Sequence, residues 1–154
     1  MINTFEFRQS GHLNPALWDP ATRTLNADAL MGRWVNTNPE TRGIAGCAIE
    51  RHGERFSVRV TGVGAAGPID WPTSEATALE NLEEEAGQRT LALAATFDFG
   101  FMTADTYIRV NKGVLVIVLF NSFRDSSGRS SYVNREFFCR QGIADRTHID
   151  STSR

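Results

Sequence analysis

The 154-residue sequence has no basic cluster, no long apolar run, only two cysteines and only three histidines. Each shortage excludes something. A net charge of −2 without a basic stretch leaves no electrostatic footprint for nucleic acid. The longest strictly apolar run, Val114 to Phe120, is far below the ~20 residues a membrane-spanning helix needs, so no membrane is expected as a partner. Met1 to Gln9 lacks the basic-then-apolar order of a signal peptide, and the expectation is a soluble, cytoplasmic chain. Cys47 and Cys139 form no CxxC, which argues against structural zinc. They read as two reduced thiols packed as small hydrophobes, and spacing leaves their pairing open. His12, His52 and His148 are not spaced with one another or with a carboxylate as a metal site requires. No metal and no cofactor are implied. Nucleophilic catalysis has no GxSxG and no Cys–His signature to rest on.

What is present is one domain's worth of strand chemistry. Residues 1–29 are irregular, with short helical turns: Asn14-Pro15 opens one through Leu17 and Trp18, and Asn26 leads another to Leu30. Residues 30–140 form the folded body, and 141–154, rich in Gly, Asp, Thr, Ser and Arg, read as a flexible tail. The body divides into strands near 31–37, 43–51, 55–63, 70–79, 89–97, 102–110, 113–123 and 130–140. These are rich in Val, Ile, Thr, Phe and Tyr. Phe56-Ser57-Val58-Arg59-Val60-Thr61 alternates apolar with polar. So does Met102 to Val110, where Ala104, Thr106 and Ile108 oppose Asp105, Tyr107 and Arg109. Val114 to Phe120 is apolar on both faces and should be covered on both. Pro72 limits the 70–79 segment to a strand start or an edge.

His52-Gly53, Asn111-Lys112-Gly113 and Asp125-Ser126-Ser127-Gly128 supply turn chemistry. Leu82 to Gln88 reads as a charged loop, and Asp98-Phe99-Gly100-Phe101 as either a tight turn or a kink. No segment is long enough for a crossover helix, so the strands form an antiparallel meander. A meander of about eight strands has two open edges unless it closes. Closure gives an all-β, up-and-down barrel that is filled by side chains or holds one small ligand. A sandwich is the alternative, disfavoured by the short connections.

Leu30-Met31-Gly32-Arg33-Trp34 resembles the Gly-x-Trp that opens the first strand of lipocalins and their calycin relatives, and it likewise follows an irregular N-terminal stretch. In that superfamily an arginine late in the last strand lies over this tryptophan. The resemblance therefore implies that Arg140, ending Tyr132 to Arg140, covers Trp34, with Gly32 letting the chain pass close beneath. Gly32-Arg33-Trp34-Val35-Asn36 also resembles the opening of avidin-like barrels, but no tryptophan follows Trp71, where that family stacks further indoles on its ligand. Haem-binding nitrobindin-like barrels need a histidine in the wall, and here only His52 falls between the first and last strands, in a turn.

Gly62 to Pro68 is glycine-rich but lacks a GxGxxG order and leads into no helix, so it reads as a flexible loop over the barrel mouth. Asp70 and Trp71 follow it and are placed to meet a ligand at the rim. Phe56, Phe97 and Phe120 are expected to line the interior. Tyr107, Asn121 and Arg135 would mark a polar spot wherever they point inward. The expected function is binding of a small hydrophobic or amphipathic molecule, with a homodimer left open. Two alternatives stand beside it. One is a barrel enzyme, of cyclase or isomerase type, which would need an inward carboxylate or tyrosine. The other is a structural or interaction module with a filled barrel.

Overall fold

The computed structural model describes residues 27–80 and 91–142. The helical turn at Asn14-Pro15, the charged loop Leu82 to Gln88 and the tail from 143 onward lie outside the described residues. Within them the chain is all β, with strands β1 Gly32–Asn36, β2 Ile44–His52, β3 Arg55–Gly64, β4 Gly67–Asp70, β5 Ser74–Glu80, β6 Leu91–Asp98, β7 Met102–Asn111, β8 Val114–Phe123 and β9 Tyr132–Arg140. The pairing runs β1-β2-β3-β5-β6-β7-β8-β9 and returns to β1, antiparallel throughout. The sheet is a closed eight-stranded up-and-down barrel.

The ninth segment is accounted for by Pro72. β4 pairs with the far half of β3 (Thr61↔Asp70), and β5 pairs with the near half (Val58↔Ser74). The two are one barrel strand, interrupted at Trp71-Pro72-Thr73 because proline has no N–H to give the ladder. The expected strand from 70 to 79 is thus two shorter ones. Glycine-rich Gly62 to Pro68 is likewise corrected: it is the tip of a paired β3–β4 hairpin, with Gly64 opposite Gly67, and not a loop. Asp98 to Phe101 resolves as a tight turn, Phe99 N donating to the Met102 carbonyl at 2.9 Å.

Strand alternation sends one side of each strand into a common core. Trp34, Ile49, Val58, Leu93, Ile108, Leu115, Ile117 and Phe138 are all almost fully buried there. The buried hydroxyls find carbonyls: Thr106 Oγ1 donates to Ala95 O at 2.8 Å and Ser74 Oγ to Thr96 O at 2.9 Å. No buried side-chain polar atom among the described residues lacks a partner.

One end of the barrel is shut by the chain entering β1. Leu30 N donates to Ala27 O at 2.9 Å, and both residues are 1% exposed. Trp34 packs beneath them, its Nε1 donating to Leu30 O at 3.0 Å. Arg140, the cross-strand neighbour of Trp34 on β9, holds its guanidinium carbon 4.5 Å from the ring centroid. The same guanidinium donates to the carbonyls of Met31 (2.7 Å), Ala29 (2.9 Å) and Asp28 (3.3 Å). Gly32, at φ +111°, passes so close that a side chain there would sit 3.2 Å from Arg140 Nη1.

The cysteines stand on opposite faces. Cys47 belongs to the core cluster, whereas Cys139 lies between inward Phe138 and Arg140 and points outward. Both are free thiols. Burial pushes the Cys47 thiol up to about 12. One expectation fails on the outer face. Val116 is covered at 8% exposure, but Phe120, expected to line the interior, points outward and is 53% exposed. It lies opposite Asp105, on the polar side of β7.

Two outcomes follow. Arg140→Ala should lower unfolding free energy by about 2–4 kcal/mol, from loss of the ring contact and the charged hydrogen bonds; a denaturant titration measures it, with Arg140→Lys recovering only part. Maleimide labelling of the folded protein should modify Cys139 ahead of Cys47, whose thiolate is suppressed by burial, with mass spectrometry of peptides reading the order.

Candidate functional site

Strand direction sorts the connections between the barrel's two ends. The entry to β1 and the β2–β3 and β7–β8 hairpins lie at the shut end. The β1–β2 loop (37–43), the β3–β4 hairpin, the β6–β7 turn and the β8–β9 loop (124–131) surround the other. Around this second end the inward side chains divide into a polar arc and an aromatic arc.

The polar arc comes from β1, β8 and β9. Because Arg140 and Phe138 face inward, alternation places Glu136 and Asn134 inward as well. Glu136 is the hub. Its Oε2 accepts from Asn36 Nδ2 at 2.6 Å, Ile44 N at 3.2 Å and Thr41 Oγ1 at 3.3 Å, and its Oε1 from Asn134 Nδ2 at 3.4 Å. Asn134 Oδ1 in turn accepts from Asn121 Nδ2 at 2.8 Å, and Asn121 is only 4% exposed. The carboxylate approaches the β1–β2 loop so closely that a Cβ on Gly43 would collide with it. Charge-assisted bonds of this kind are stronger than neutral ones, so Glu136 holds the loop to β9. A hollow of about 580 Å³ opens beside it at the rim, between the β1–β2 loop and β9, bordered by Asn36, Glu40, Thr41, Glu136 and the outward Arg135 and Phe137.

The aromatic arc comes from the broken strand and β6. Just before the break at Pro72, with its own N still donating to Val60 O at 2.9 Å, Trp71 turns its ring over β3, where Gly62 has no side chain; a Cβ there would lie 2.5 Å from the indole Nε1. The ring meets Phe97 edge-on at 5.3 Å between centroids and Phe99 at 5.0 Å, a favoured geometry. Phe97 is fully buried, while Trp71 and Phe99 are half-buried against the core.

The β8–β9 loop borders the same end. The Arg129 guanidinium sits 4.1 Å from the Phe123 ring centroid and 5.5 Å from that of Phe101. It is held by Asp125 Oδ2 at 2.7 Å and by Ser127 Oγ at 2.9 Å. The hydroxyl of Ser127, and then Arg129, hold the Asp125 carboxyl below its ordinary value. A second bond ties this loop to the β6–β7 turn, from Arg124 to Asp98.

Of the residues singled out from sequence, Trp71, Phe97 and Asn121 face this end from the inside. Asp70 points outward and borders an outer groove of about 490 Å³ with Arg33, Arg59 and Thr61, a groove that Trp71 also lines. Tyr107 and Arg135 are both ladder partners of outward Val118, so neither reaches the interior. Phe56 is buried near the shut end, under Arg51 at 5.4 Å. Glu136, Asn36 and Asn134 escaped the sequence reading because Phe137 and Phe138 leave the parity of β9 ambiguous. The signal was available in Arg140: once it covers Trp34, every second residue before it faces in. No cluster of His, Cys, Asp or Glu among the described residues could hold a metal.

Asp125 has a depressed pKa, so its contribution to the loop is complete above the ordinary carboxylate value and is lost as pH falls through the lowered one. The Asp125 contacts with Ser127 and Arg129 should therefore hold at neutral pH and loosen only in acid. Arg129→Ala should bring the Asp125 titration back towards its ordinary value and speed amide exchange in 124–131. NMR titration and hydrogen exchange check both. Glu136→Gln should cost about 1–3 kcal/mol by weakening the charge-assisted set and should free the β1–β2 loop in the same exchange experiment.

No family model, curated protein or solved structure matches this chain.

Proposed function

We propose that the chain is a non-catalytic binding barrel of lipocalin-like type, taking a small amphipathic molecule at the end opposite Trp34 and Arg140. The observation that carries this reading is the division of that end into two arcs. On one side Asn36, Asn134 and Glu136 border a hollow of about 580 Å³, with the carboxylate oriented by four groups. On the other, Trp71 and Phe99 present half-buried rings. Pockets that combine apolar walls with a few oriented polar groups are the common form of small-molecule sites. A ligand with a hydrogen-bond donor would meet the polar arc in the rim hollow, and an aromatic or aliphatic body reaching across the mouth would meet Trp71 and Phe99. Backbone closure at the shut end supplies rigidity, and a preorganised site loses less entropy on binding.

The inward carboxylate also answers the requirement of the enzyme alternative. Glu136, however, already accepts from Asn36, Thr41, Ile44 and Asn134, and the hollow's other carboxylate, Glu40, lies on the β1–β2 loop. A proton to be removed and a ligand donor must compete with those bonds alike, so the preference for binding rests on the apolar rings at this end rather than on the carboxylate.

Titration with N-phenyl-1-naphthylamine, an aromatic amine that brightens in apolar surroundings, tests the reading. A saturable rise in fluorescence is expected. Trp71→Ala should weaken it by about tenfold, a loss of ~1.4 kcal/mol of aromatic contact, while Asp70→Ala in the outer groove leaves it unchanged. Native mass spectrometry of freshly purified protein should show an adduct of small-molecule mass. An apo mass together with no probe response would sink the proposal.

A further inference from the structure

The outer face of β7, β8 and β9 carries a three-by-three grid of cross-strand neighbours. Asp105, Phe120 and Val133 form its first row; Tyr107, Val118 and Arg135 its second; Arg109, Val116 and Phe137 its third. The apolar members are unusually open: Phe120 is 53% exposed, Val133 61% and Phe137 43%. This explains the doubly apolar run Val114 to Phe120. Its inward residues fill the barrel; of its outward ones Val116 is already covered, and the open apolar surface lies at Phe120 beside Val133 and Phe137. Large contiguous apolar patches of this kind mark interaction surfaces.

We propose that this face is closed by a second copy of the chain, the two sheets packing face to face about a two-fold axis that passes at Val118 and runs across the strands. The charges choose this arrangement. Asp105 and Arg109 sit at opposite ends of the grid on the same strand, so an antiparallel copy sets each Asp105 against the Arg109 of its partner. Phe120 then covers Val116, and Val133 covers Phe137. Asp105 is already oriented by Thr96, whose hydroxyl donates to it at 2.6 Å. Arg135 is drawn aside onto the ring of Phe137, 5.7 Å from its centroid, which keeps the two copies of Arg135 from meeting head-on. An isologous contact of this form closes on itself, giving a dimer and no longer assembly.

Sedimentation equilibrium over a concentration series tests the pairing, with circular dichroism confirming that each variant is folded. The wild-type chain should show twice the monomer mass. Asp105→Arg and Arg109→Asp should each shift the dimer to at least tenfold higher concentration. The double variant Asp105→Arg/Arg109→Asp should restore the wild-type value, because the swapped charges again face each other. Phe120→Ser, which touches no charge, should weaken association without unfolding the barrel. A wild-type chain that stays monomeric overturns the proposal, whatever other partner or segment covers the face. So does a dimer indifferent to both single swaps, or a folded double variant that remains monomeric.

Discussion

Closure at the seam between the first and last strands is the constraint on which the rest of the barrel depends. β1 meets β9 through only three ladder pairs, and one of these is Trp34 with Arg140. The same two side chains form the stacked contact that shuts one end and anchor the carbonyls of the entering turn. A cross-strand pair of this kind stabilises its own ladder. Here it also removes the two open edges that a meander would otherwise present to other chains. The long-range contact between residues 34 and 140 is costly to form early in folding, since it closes almost the whole domain into a loop. Seam, plug and N-terminal turn therefore form as one unit.

This pair also sets parity around the barrel. Side chains alternate with a period of two, so an inward Arg140 commits Phe138, Glu136 and Asn134 to the interior and Cys139, Phe137 and Arg135 to the outside. A slip of one residue in β9 would place Glu136 in water and Phe137 in the polar arc, and would leave Ile44 N without its carboxylate. Register is well specified here because hydrophobic burial and the polar network demand the same alignment.

Architecture was legible because strand composition, turn residues and alternation are local signals. The eight-strand barrel, the tight hairpins and the inward faces of β3 and β7 all follow from neighbours in sequence. Pro72 was legible as a break, though its consequence was not. Where the ladder is interrupted, Trp71 swings over Gly62, and nothing in the local pattern states that these two meet. The candidate site was harder to read for the same reason. Its polar arc unites Asn36 with Glu136, 100 residues apart, through a seam that only tertiary closure creates. Tyr107 and Arg135 drew attention as polar residues within apolar strands, yet that is the ordinary look of a solvent face.

The two ends of the barrel differ in how they satisfy their polar groups, and this difference is the physical basis for placing recognition at one of them. At the shut end the guanidinium spends its donors on backbone carbonyls and its face on an indole, leaving little to offer a visitor. At the other, the donors and acceptors belong to side chains: Asn121, Asn134, Asn36 and Glu136 form a chain of hydrogen bonds that ends beside a hollow. A ligand would have to compete with these bonds, but side-chain groups at a rim are within its reach, whereas the carbonyls of the shut end are already taken by Arg140. The β8–β9 loop, held by Arg129 and Asp125, has its ion pair in solvent, where such pairs contribute little. On the proposed reading a ligand would meet the open end, where the seam's polar groups lie at the rim, while the stacked Trp34–Arg140 pair at the shut end stays undisturbed.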